Sequence, residues 1–426
     1  MKNGKAAEEA EEEEDARLAY KVFIFGMEID NKNLFFGLTG ILAIALSVAL
    51  MVKVDSSKKA RGNLPGNDAV LDVVVVATGL PKKGMGWYHL TQLLEMPKVN
   101  VVAVVEPFFM NPKLCPSVPP SFTELVKTLK DKGVQVTGSV DDLSTFTRRT
   151  MCLIAGRTPD NPKLFAKCID KGASVIYLEK PGAPSVQELQ GMKNMADSRN
   201  VKVYIGYNKN VTPCVQKTLA LAQTVPNSHV IFCHNNSYTR AELPECFTRN
   251  SEGILKNMAI HELALLVSFF DITVDNIDTF KVNTSKLFSE KLKLWEPGTM
   301  HPITDFSRVT FSVTNKKGTH VSVMADRCGG NVSFAVVKDK DGNDIQKFEF
   351  PDPETASKVE EMTEVDPEMM PYFFVQSDDY LELKNRVVDS TLGGRDAPGV
   401  ATIQVGIEAL KLAEYGTEEL NKALKA

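Results

Sequence analysis

An alternation of short apolar strands and helix-like stretches between residues 71 and 206 constrains the fold most. Residues 72–77 (DVVVVA) form an unbroken, mostly β-branched run, which is typical of a strand buried on both faces. Similar short apolar runs occur at the segments 101–105, 152–155, 174–178 and 201–205. Strands that alternate with helices at this spacing predict βαβ units and an α/β fold with a doubly wound, Rossmann-like parallel sheet.

The pattern changes after Gly206, because strand-like segments then follow one another with few helices between them. Lys340-Asp341-Gly342 is typical of a tight hairpin turn. We therefore predict a dinucleotide-binding domain at 70–206 and an α+β domain with a large, mostly antiparallel sheet at 207–426. A closing helix is expected at 402–413. The strand-like segments are 229–233, 279–282, 308–313, 320–325 and 333–337.

The N-terminal part of the chain differs from the rest. Residues 8–15 form an acidic run, so we predict that residues 1–33 are a disordered tail. Residues 34–52 contain no charge, and as a helix they would span roughly 28 Å, which is enough for a bilayer core. We predict a transmembrane helix there and a linker at 53–69. A cleaved signal peptide is the alternative.

Charge and cysteine usage restrict the partners and the compartment. Lys53, Lys58, Lys59 and Arg61 follow the apolar segment. The positive-inside rule therefore favours a single-pass membrane protein whose larger C-terminal part is cytosolic, with the lipid bilayer as a partner. The net charge is −5 and no basic stripe is present, so no nucleic-acid partner is expected. The seven cysteines are dispersed without metal-ligand spacing, which is typical of reduced thiols, and we predict no metal site.

Glycines follow the first strand within residues 78–89. Gly79, Gly84 and Gly86 would let the backbone approach a pyrophosphate at a helix N-terminus. Their spacing departs from G-x-G-x-x-G, as if about two residues were inserted around Pro81. An ordinary glycine-rich turn is therefore the alternative to a nucleotide-binding loop.

Glu106 ends the second strand, 20 residues after Gly86. A carboxylate at this place would accept hydrogen bonds from a ribose diol, which favours NAD. Lys82 and Lys83 point the other way, because two cations in the glycine loop would suit the added phosphate of NADP. The cofactor is therefore predicted as NAD or NADP.

Two further segments follow strands of the parallel sheet: Arg157-Thr158-Pro159 and Glu179-Lys180-Pro181. Open α/β sheets bind ligands at the carboxyl ends of their strands. Lys180 could hydrogen-bond a substrate hydroxyl and, with a pKa lowered by burial, exchange a proton with it. The alternative is a solvated surface lysine in a turn.

Residues 252–271 show helical apolar periodicity, and within them Asn257 and His261 are four residues apart. On one helix these two side chains would share a face. His261 could act as general base on a carbinol hydroxyl while Asn257 orients the substrate. The alternative for His261 is a hydrogen-bonded core histidine.

In this order the motifs resemble the glucose–fructose oxidoreductase / inositol dehydrogenase (Gfo/Idh/MocA) family over roughly residues 71–413. The resemblance implies a nicotinamide dinucleotide, with Lys180 and His261 as the catalytic pair and Asn257 beside the substrate. It also implies a substrate wall and a homo-oligomer interface on the second-domain sheet. The matching segments are Met85-Gly86-x-x-His89-Leu90, Val105-Glu106-Pro107, Thr158-Pro159, Glu179-Lys180-Pro181, Gly206-Tyr207-Asn208-Lys209 and Gly253-x-Leu255-x-Asn257-x-x-x-His261.

The sequence departs from the family's pattern at three places. Its glycine turn is longer, Asn257 replaces the usual aspartate, and Lys163 replaces a common histidine. We predict a membrane-anchored NAD(P)-dependent oxidoreductase that acts on a carbinol carbon of a sugar, polyol or related small molecule. One alternative is a non-catalytic dinucleotide-binding regulatory protein. Another is reduction of a linear tetrapyrrole on the same scaffold, which would not need His261. The residues implied to contact the cofactor are Gly79, Gly84, Gly86, Glu106, Thr158, Pro159, Glu179, Lys180 and Asn208.

Overall fold

The computed structural model describes residues 22–24, 27–29, 70–296 and 299–425. The chain divides into two compact units, Met1–Gly66 and Asn67–Ala426. In the first unit, the short strands Val22–Ile24 and Met27–Ile29 pair antiparallel. The predicted features at 1–33 and 53–69 lie almost entirely outside the described residues.

The prediction of a transmembrane helix at 34–52 is corrected by the structure. Within the described ranges, no helix combines the length and the apolar character needed to cross a bilayer. Residues 34–52 themselves lie outside those ranges. The prediction rested on length and hydropathy alone, and neither property specifies a helix. The single-pass membrane localisation, its cytosolic orientation and the lipid bilayer as a partner therefore have no structural support and are withdrawn.

The first sheet of the second unit is entirely parallel, with the strand order β3-β2-β1-β4-β5-β6 in the described part of the chain. This is the order of a Rossmann-like sheet. Each residue of β1 is buried, because helices cover both faces of the sheet. The strands are β1 Leu71–Val76, β2 Val99–Val105, β3 Gln135–Thr137, β4 Thr150–Ile154, β5 Val175–Leu178 and β6 Lys202–Ile205.

Four helices connect these strands as the sequence pattern predicts. α4 begins where Ser185 caps it, because the Ser185 hydroxyl accepts a hydrogen bond from the Glu188 amide at 3.2 Å. The helices are α1 Met85–Glu95, α2 Pro120–Asp131, α3 Asn161–Asp170 and α4 Val186–Ser198.

The second sheet is mixed and mostly antiparallel, with the order β8-β10-β11-β7-β12-β13 and with β9 paired to β10. Only β7 and β11 pair in parallel among its described strands. The predicted hairpin turn joins β12 to β13, and Gly342 adopts the positive φ that this turn requires. The strands are β7 His229–Asn235, β8 Ile277–Val282, β9 Phe288–Glu296, β10 Thr299–Asn315, β11 His320–Asp326, β12 Ser333–Lys338 and β13 Asp344–Phe350.

The C-terminal helices return to the first sheet. In α11, Leu383 and Val387 are fully buried and belong to the same apolar cluster as Leu71 and Val73 of β1. α12 packs against α4 and α8, and it extends well beyond the predicted helix at 402–413. The remaining helices are α5 Pro213–Thr224, α6 Leu243–Arg249, α7 Ile254–Asn257, α8 Ile260–Phe270, α9 Pro353–Val365, α10 Pro371–Val375, α11 Ser377–Gly393 and α12 Ile403–Lys425.

Candidate active site

The loops after β1, β4, β5 and β6 lie at one edge of the parallel sheet, because parallel strands end at the same edge. The strand order reverses between β1 and β4, which is where open α/β sheets bind ligands. The side chain of Asn161 donates a hydrogen bond to the Gly182 carbonyl at 3.1 Å and so joins the loop after β4 to the loop after β5. These loops carry the predicted site residues Gly79, Thr158, Pro159, Glu179, Lys180 and Asn208.

The glycines after β1 are required by the packing of the loop itself. A Cβ atom on Gly84 would clash with the Thr78 carbonyl oxygen, and one on Gly86 would clash with the Ala77 carbonyl oxygen. Gly79 has a φ of +69°. This close approach brings the start of α1 against the end of β1, so the N-terminus of α1 lies at the edge where strands β1 and β4 diverge. An anion is favoured at such a helix start.

Glu106 faces the glycine loop, and it is only 2% exposed. Its carboxylate accepts hydrogen bonds from the Thr78 hydroxyl at 3.0 Å and from the amides of Gly79 at 2.8 Å, Phe108 at 3.0 Å and Phe109 at 3.4 Å. A carboxylate has about four acceptor positions, so these four donors occupy its capacity. The arrangement stabilises the loop and leaves little capacity for the ribose diol that the sequence suggests.

Lys82, in the same loop, forms ion pairs with two acidic residues between α9 and α10. Its ammonium lies 2.9 Å from an Asp366 oxygen and 3.4 Å from a Glu368 oxygen. Burial alone would lower the pKa of Lys82, but hydrogen bonds and charges from Asp366 and Glu368 raise it above its ordinary value. A cofactor phosphate would therefore have to compete with carboxylates for Lys82.

Lys180 points into the protein rather than into solvent. The Lys180–Pro181 peptide is cis, and the ammonium of Lys180 donates to the Asn257 carbonyl at 2.9 Å. Burial lowers the pKa of Lys180 below its ordinary value, and the charge of Lys209 lowers it further. This hydrogen bond to the protein backbone argues against the alternative that Lys180 is a solvated surface lysine.

The helix predicted over residues 252–271 is interrupted. α7 ends at Asn257 and α8 begins at Ile260, while the amides of Met258 and Ala259 both donate to the Ile254 carbonyl. An uninterrupted α-helix would pair the Asn257 carbonyl with the amide four residues later. The interruption instead lets this carbonyl accept a hydrogen bond from Lys180. Asn257 and His261 therefore lie on two successive helices rather than on one, and Asn257 contacts Lys180 through its backbone.

His261 is only 7% exposed and lies edge-on to Tyr207, with ring centroids 5.8 Å apart. Its Nδ1 atom is buried and has no hydrogen-bond partner among the described residues. Burial holds the pKa of His261 well below its ordinary value, and the charges of Lys180 and Lys209 act in the same direction. The imidazole is therefore neutral near pH 7. The open Nδ1 does not fit a hydrogen-bonded core histidine.

Glu262, next to His261, joins two further polar residues that were not predicted. Its carboxylate forms an ion pair with Lys209 and lies 3.0 Å from Nδ1 of His234. Burial would raise the pKa of Glu262, but the charges of His234 and Lys209 lower it below its ordinary value. Lys209 belongs to the segment Gly206-Tyr207-Asn208-Lys209 that carries the resemblance, whereas the only sequence signal for Glu262 is its adjacency to His261.

Glu179 belongs to a second buried network. Its carboxylate lies 3.0 Å from Nε2 of His89, whose Nδ1 lies 3.0 Å from the amine of Lys384. Burial lowers the pKa of Lys384 to about 7 and that of His89 to about 4. Gly206 is required here, because a Cβ atom would clash with the Glu179 carboxylate. No sequence pattern distinguishes Lys384 from a solvated helix lysine.

Asn208 is buried at the start of the short 3-10 helix Asn208–Asn210. It hydrogen-bonds Asp379 of α11, which also accepts from the Thr212 hydroxyl at 2.7 Å. Burial raises the pKa of Asp379 to about 7. By contrast, Thr158 and Pro159 lie in the 3-10 helix Thr158–Asp160, where Pro159 is exposed at the sheet edge.

No protein-family model and no curated protein sequence matches the chain. Solved structures do match it. GenD2 from gentamicin A biosynthesis, in complex with NAD, is 15% identical with a TM-score of 0.59, and the match covers 84% of this chain and 97% of that one. Scyllo-inositol dehydrogenase from Lactobacillus casei with bound NAD(H) and scyllo-inositol is 14% identical with a TM-score of 0.55, covering 83% and 97%.

Myo-inositol 2-dehydrogenase from Lactobacillus plantarum is 15% identical with a TM-score of 0.57, and the match covers 83% of this chain and 97% of that one. At these identities the likeness concerns the fold. It extends over nearly the full length of each neighbour. The chain therefore has the fold of inositol dehydrogenases and related dehydrogenases of the Gfo/Idh/MocA family, and the resemblance that its motifs indicate is confirmed at the level of the fold.

Proposed function

We propose that the chain is an NAD(P)-dependent oxidoreductase that transfers a hydride between a nicotinamide cofactor and a carbinol carbon of a polyol, sugar or related small molecule. One observation carries the proposal. Lys180, which follows β5 at the carboxyl edge of a Rossmann-like sheet, donates to the Asn257 carbonyl at the helix interruption and interacts electrostatically with His261, and both residues have a lowered pKa.

The two residues would handle the proton of the reacting hydroxyl. The Lys180 amine would donate a hydrogen bond to the substrate oxygen and stabilise negative charge that develops on it. A neutral His261 would accept the hydroxyl proton. Because its pKa is low, His261 is a weak base, so it would take this proton as the hydride leaves and the hydroxyl becomes more acidic. Positioned proton transfer of this kind contributes roughly 10²–10⁴-fold in rate.

A nicotinamide dinucleotide fits part of the site. Two of the neighbouring structures contain NAD or NAD(H). The start of α1, opened by Gly84 and Gly86, suits a pyrophosphate, and Thr158 and Pro159 lie on the next strand end. The cofactor would accept or return the hydride. Glu106 does not fit a ribose contact, because its carboxylate is already saturated by the glycine loop.

The substrate side would come from the second sheet and the helices beside it. One neighbour binds scyllo-inositol, which supports a polyol as the substrate class. We propose that residues 70–206 supply the cofactor contacts. Residues 207–426 would supply the substrate wall and, through their sheet, a homo-oligomer interface.

The experiment is an absorbance assay at 340 nm with NAD⁺ or NADP⁺ and a panel of inositols, sugars and other polyols. Wild-type turnover is expected, with a loss of about 10²–10⁴-fold in Lys180→Ala and in His261→Ala. Lys127→Ala, at an exposed position on α2 outside the motifs, serves as the matched control and should retain activity. Wild-type inactivity with both cofactors across the panel would refute the dehydrogenase assignment.

A non-catalytic module on the same scaffold is the second candidate. It is favoured by the saturated Glu106 carboxylate and by the ion pairs of Lys82, since both reduce what the glycine loop offers to a cofactor. A thermal-shift titration separates the two candidates. A catalytic protein is stabilised by about 2.7 kcal/mol at 100 times the dissociation constant of its cofactor and also turns over. A module is stabilised without turnover.

A further inference from the structure

Two buried polar atoms that interact with Lys180 are left without a hydrogen-bond partner among the described residues: Oε2 of Glu252 and Nδ1 of His261. The charge of Glu252 acts on Lys180, and the charge of Lys180 acts on His261. Buried polar atoms are nearly always paired, so unpaired ones in one place need an explanation. A ligand that supplies the missing partners is such an explanation.

Glu252 is held by a firmly anchored turn. It precedes Gly253, which has a φ of +87° and caps the start of α7. The next amide, that of Ile254, donates to an Asp305 oxygen at 3.1 Å, and the buried Arg327 holds the other Asp305 oxygen at 2.8 Å. The backbone that carries Glu252 is therefore fixed to the second sheet. Its unpaired oxygen is not the free end of a loose loop.

The other carboxylates around Lys180 already have partners. Three carboxylates in all, Glu179, Glu252 and Glu262, act on the charge of Lys180. Glu179 pairs with His89, and Glu262 pairs with Lys209 and His234. Among these three, Glu252 is the carboxylate with a buried oxygen still open, so it is the one available to a substrate.

We propose that Glu252 is a substrate-binding residue that accepts a hydrogen bond from a hydroxyl neighbouring the reacting carbinol, so that the site takes uncharged polyols and disfavours sugar acids. This inference rests on the proposed dehydrogenase function and deepens it. An ionised carboxylate only accepts hydrogen bonds, so it selects a hydroxyl donor. A carboxylate on the substrate would meet it as a like charge.

Charge balance supports an uncharged substrate. The charges of Lys180 and Lys209 are matched by the carboxylates Glu252 and Glu262, and Glu179 adds a further carboxylate, which lies beside His89. The site has no surplus cation among these residues to neutralise an anionic substrate. A substrate hydroxyl in the same place adds no charge and satisfies the open oxygen.

The first test compares wild-type protein with Glu252→Gln and Glu252→Asp, using myo-inositol, a deoxy-inositol, glucose and glucuronate. Losing a hydrogen bond to a charged group should lower kcat/KM for the polyol by about 10–100-fold. The deficit should shrink for the deoxy-inositol that lacks the contacting hydroxyl. Discrimination between glucose and glucuronate should also weaken. Glu360→Gln, an exposed residue of α9, is the control and should behave as wild type.

Turnover of the polyols with unchanged kcat/KM in Glu252→Gln would overturn the inference while leaving the proposed function intact. A second readout does not need turnover. The lysines are ¹³C-methylated and titrated by NMR, with Lys180→Arg used to assign the Lys180 signal. The pKa of Lys180 should fall in Glu252→Gln, because a facing negative charge is removed. An unchanged titration would show that Glu252 does not face Lys180 and would equally overturn the inference.

Discussion

Lys384 and His89 are 295 positions apart in the chain, yet the Lys384 amine lies 3.0 Å from the Nδ1 atom of His89. Burial lowers the pKa of His89 to about 4, so the imidazole is neutral and carries one proton. The Glu179 carboxylate, 3.0 Å from Nε2, accepts hydrogen bonds, so this proton is on Nε2 and Nδ1 accepts from the Lys384 amine. The carboxylate that precedes Lys180 and one lysine from α11 thereby fix the histidine tautomer together.

Lys384→Met should change how the stability of the protein depends on pH. Burial lowers the pKa of Lys384 from 10.5 to about 7, so between these values the unfolded chain binds a proton that the folded protein does not. Lys384 therefore makes wild-type stability rise with pH in this window, by up to about 1.4 kcal/mol per pH unit. Urea unfolding from pH 7 to 9.5 should show this rise in wild type and lose it in Lys384→Met.

Lys127→Met, at an exposed position on α2, controls for the loss of a lysine charge. A Lys384→Met variant whose stability follows the wild-type pH dependence would contradict a neutral amine in the fold.

Asp379→Asn should show the opposite trend. Burial raises the pKa of Asp379 from 3.8 to about 7, so the folded protein holds a proton there that the unfolded chain has lost. Wild-type stability should therefore fall as pH rises from about 4 to 7. The stability of Asp379→Asn relative to wild type should increase between pH 5 and pH 8, measured by chemical unfolding. The exposed Asp131→Asn should show no such gain, and a constant difference for Asp379→Asn would argue against the raised pKa.

Glu106→Ala should destabilise the protein in the absence of any cofactor. Four donors lose their acceptor, including the Thr78 hydroxyl and the Gly79 amide. Each buried donor left unpaired costs about 1–3 kcal/mol, and water that enters the space of the side chain reduces this cost. We expect a total loss of roughly 2–4 kcal/mol in the free energy of unfolding, and a smaller loss for Glu106→Gln. Glu124→Ala, exposed on α2, should be neutral. A stable Glu106→Ala protein that is defective only in cofactor affinity would restore the ribose-binding role.

Lys209→Met should raise the pKa of His261. The charge of Lys209 helps to hold this pKa down, while the charge of Glu262, which Lys209 partly neutralises, acts to raise it. The histidine ring signals in an NMR titration should move to higher pH. The acid limb of kcat/KM should move in the same direction, because a protonated His261 no longer accepts a proton. Lys127→Met should leave both unchanged, and an unmoved His261 titration in Lys209→Met would rule out this coupling.

Most of the parallel sheet follows from the sequence, because runs such as residues 72–77 combine β-branched side chains with burial on both faces. Strand β3, Gln135–Thr137, is not predicted in this way, because it is a three-residue edge strand with no buried side chain. The transmembrane helix was predicted from hydropathy and is not supported.

Only part of the candidate site can be predicted from the sequence. Lys180 and His261 can be nominated from their motifs, but the helix interruption between Asn257 and Ile260 is hidden, since Met258 and Ala259 continue the apolar period. Lys384 and Asp379 look like solvated charges on a helix, and only tertiary packing buries them. Glu106 is the opposite case. Its position in the sequence is typical of ribose binding, but in the structure its carboxylate accepts a hydrogen bond from the glycine loop.

The packing of α11 against β1 also has a consequence for biosynthesis. The core behind the first sheet contains Leu383 and Val387, which leave the ribosome some 300 residues after Leu71 and Val73. Domains usually fold as units while the chain is still being synthesised. Here the nucleotide-type sheet, although it comes early, stays incomplete until nearly the whole chain has emerged. We therefore expect nascent chains that stop near Gly206 to expose apolar surface on this sheet and to require chaperones.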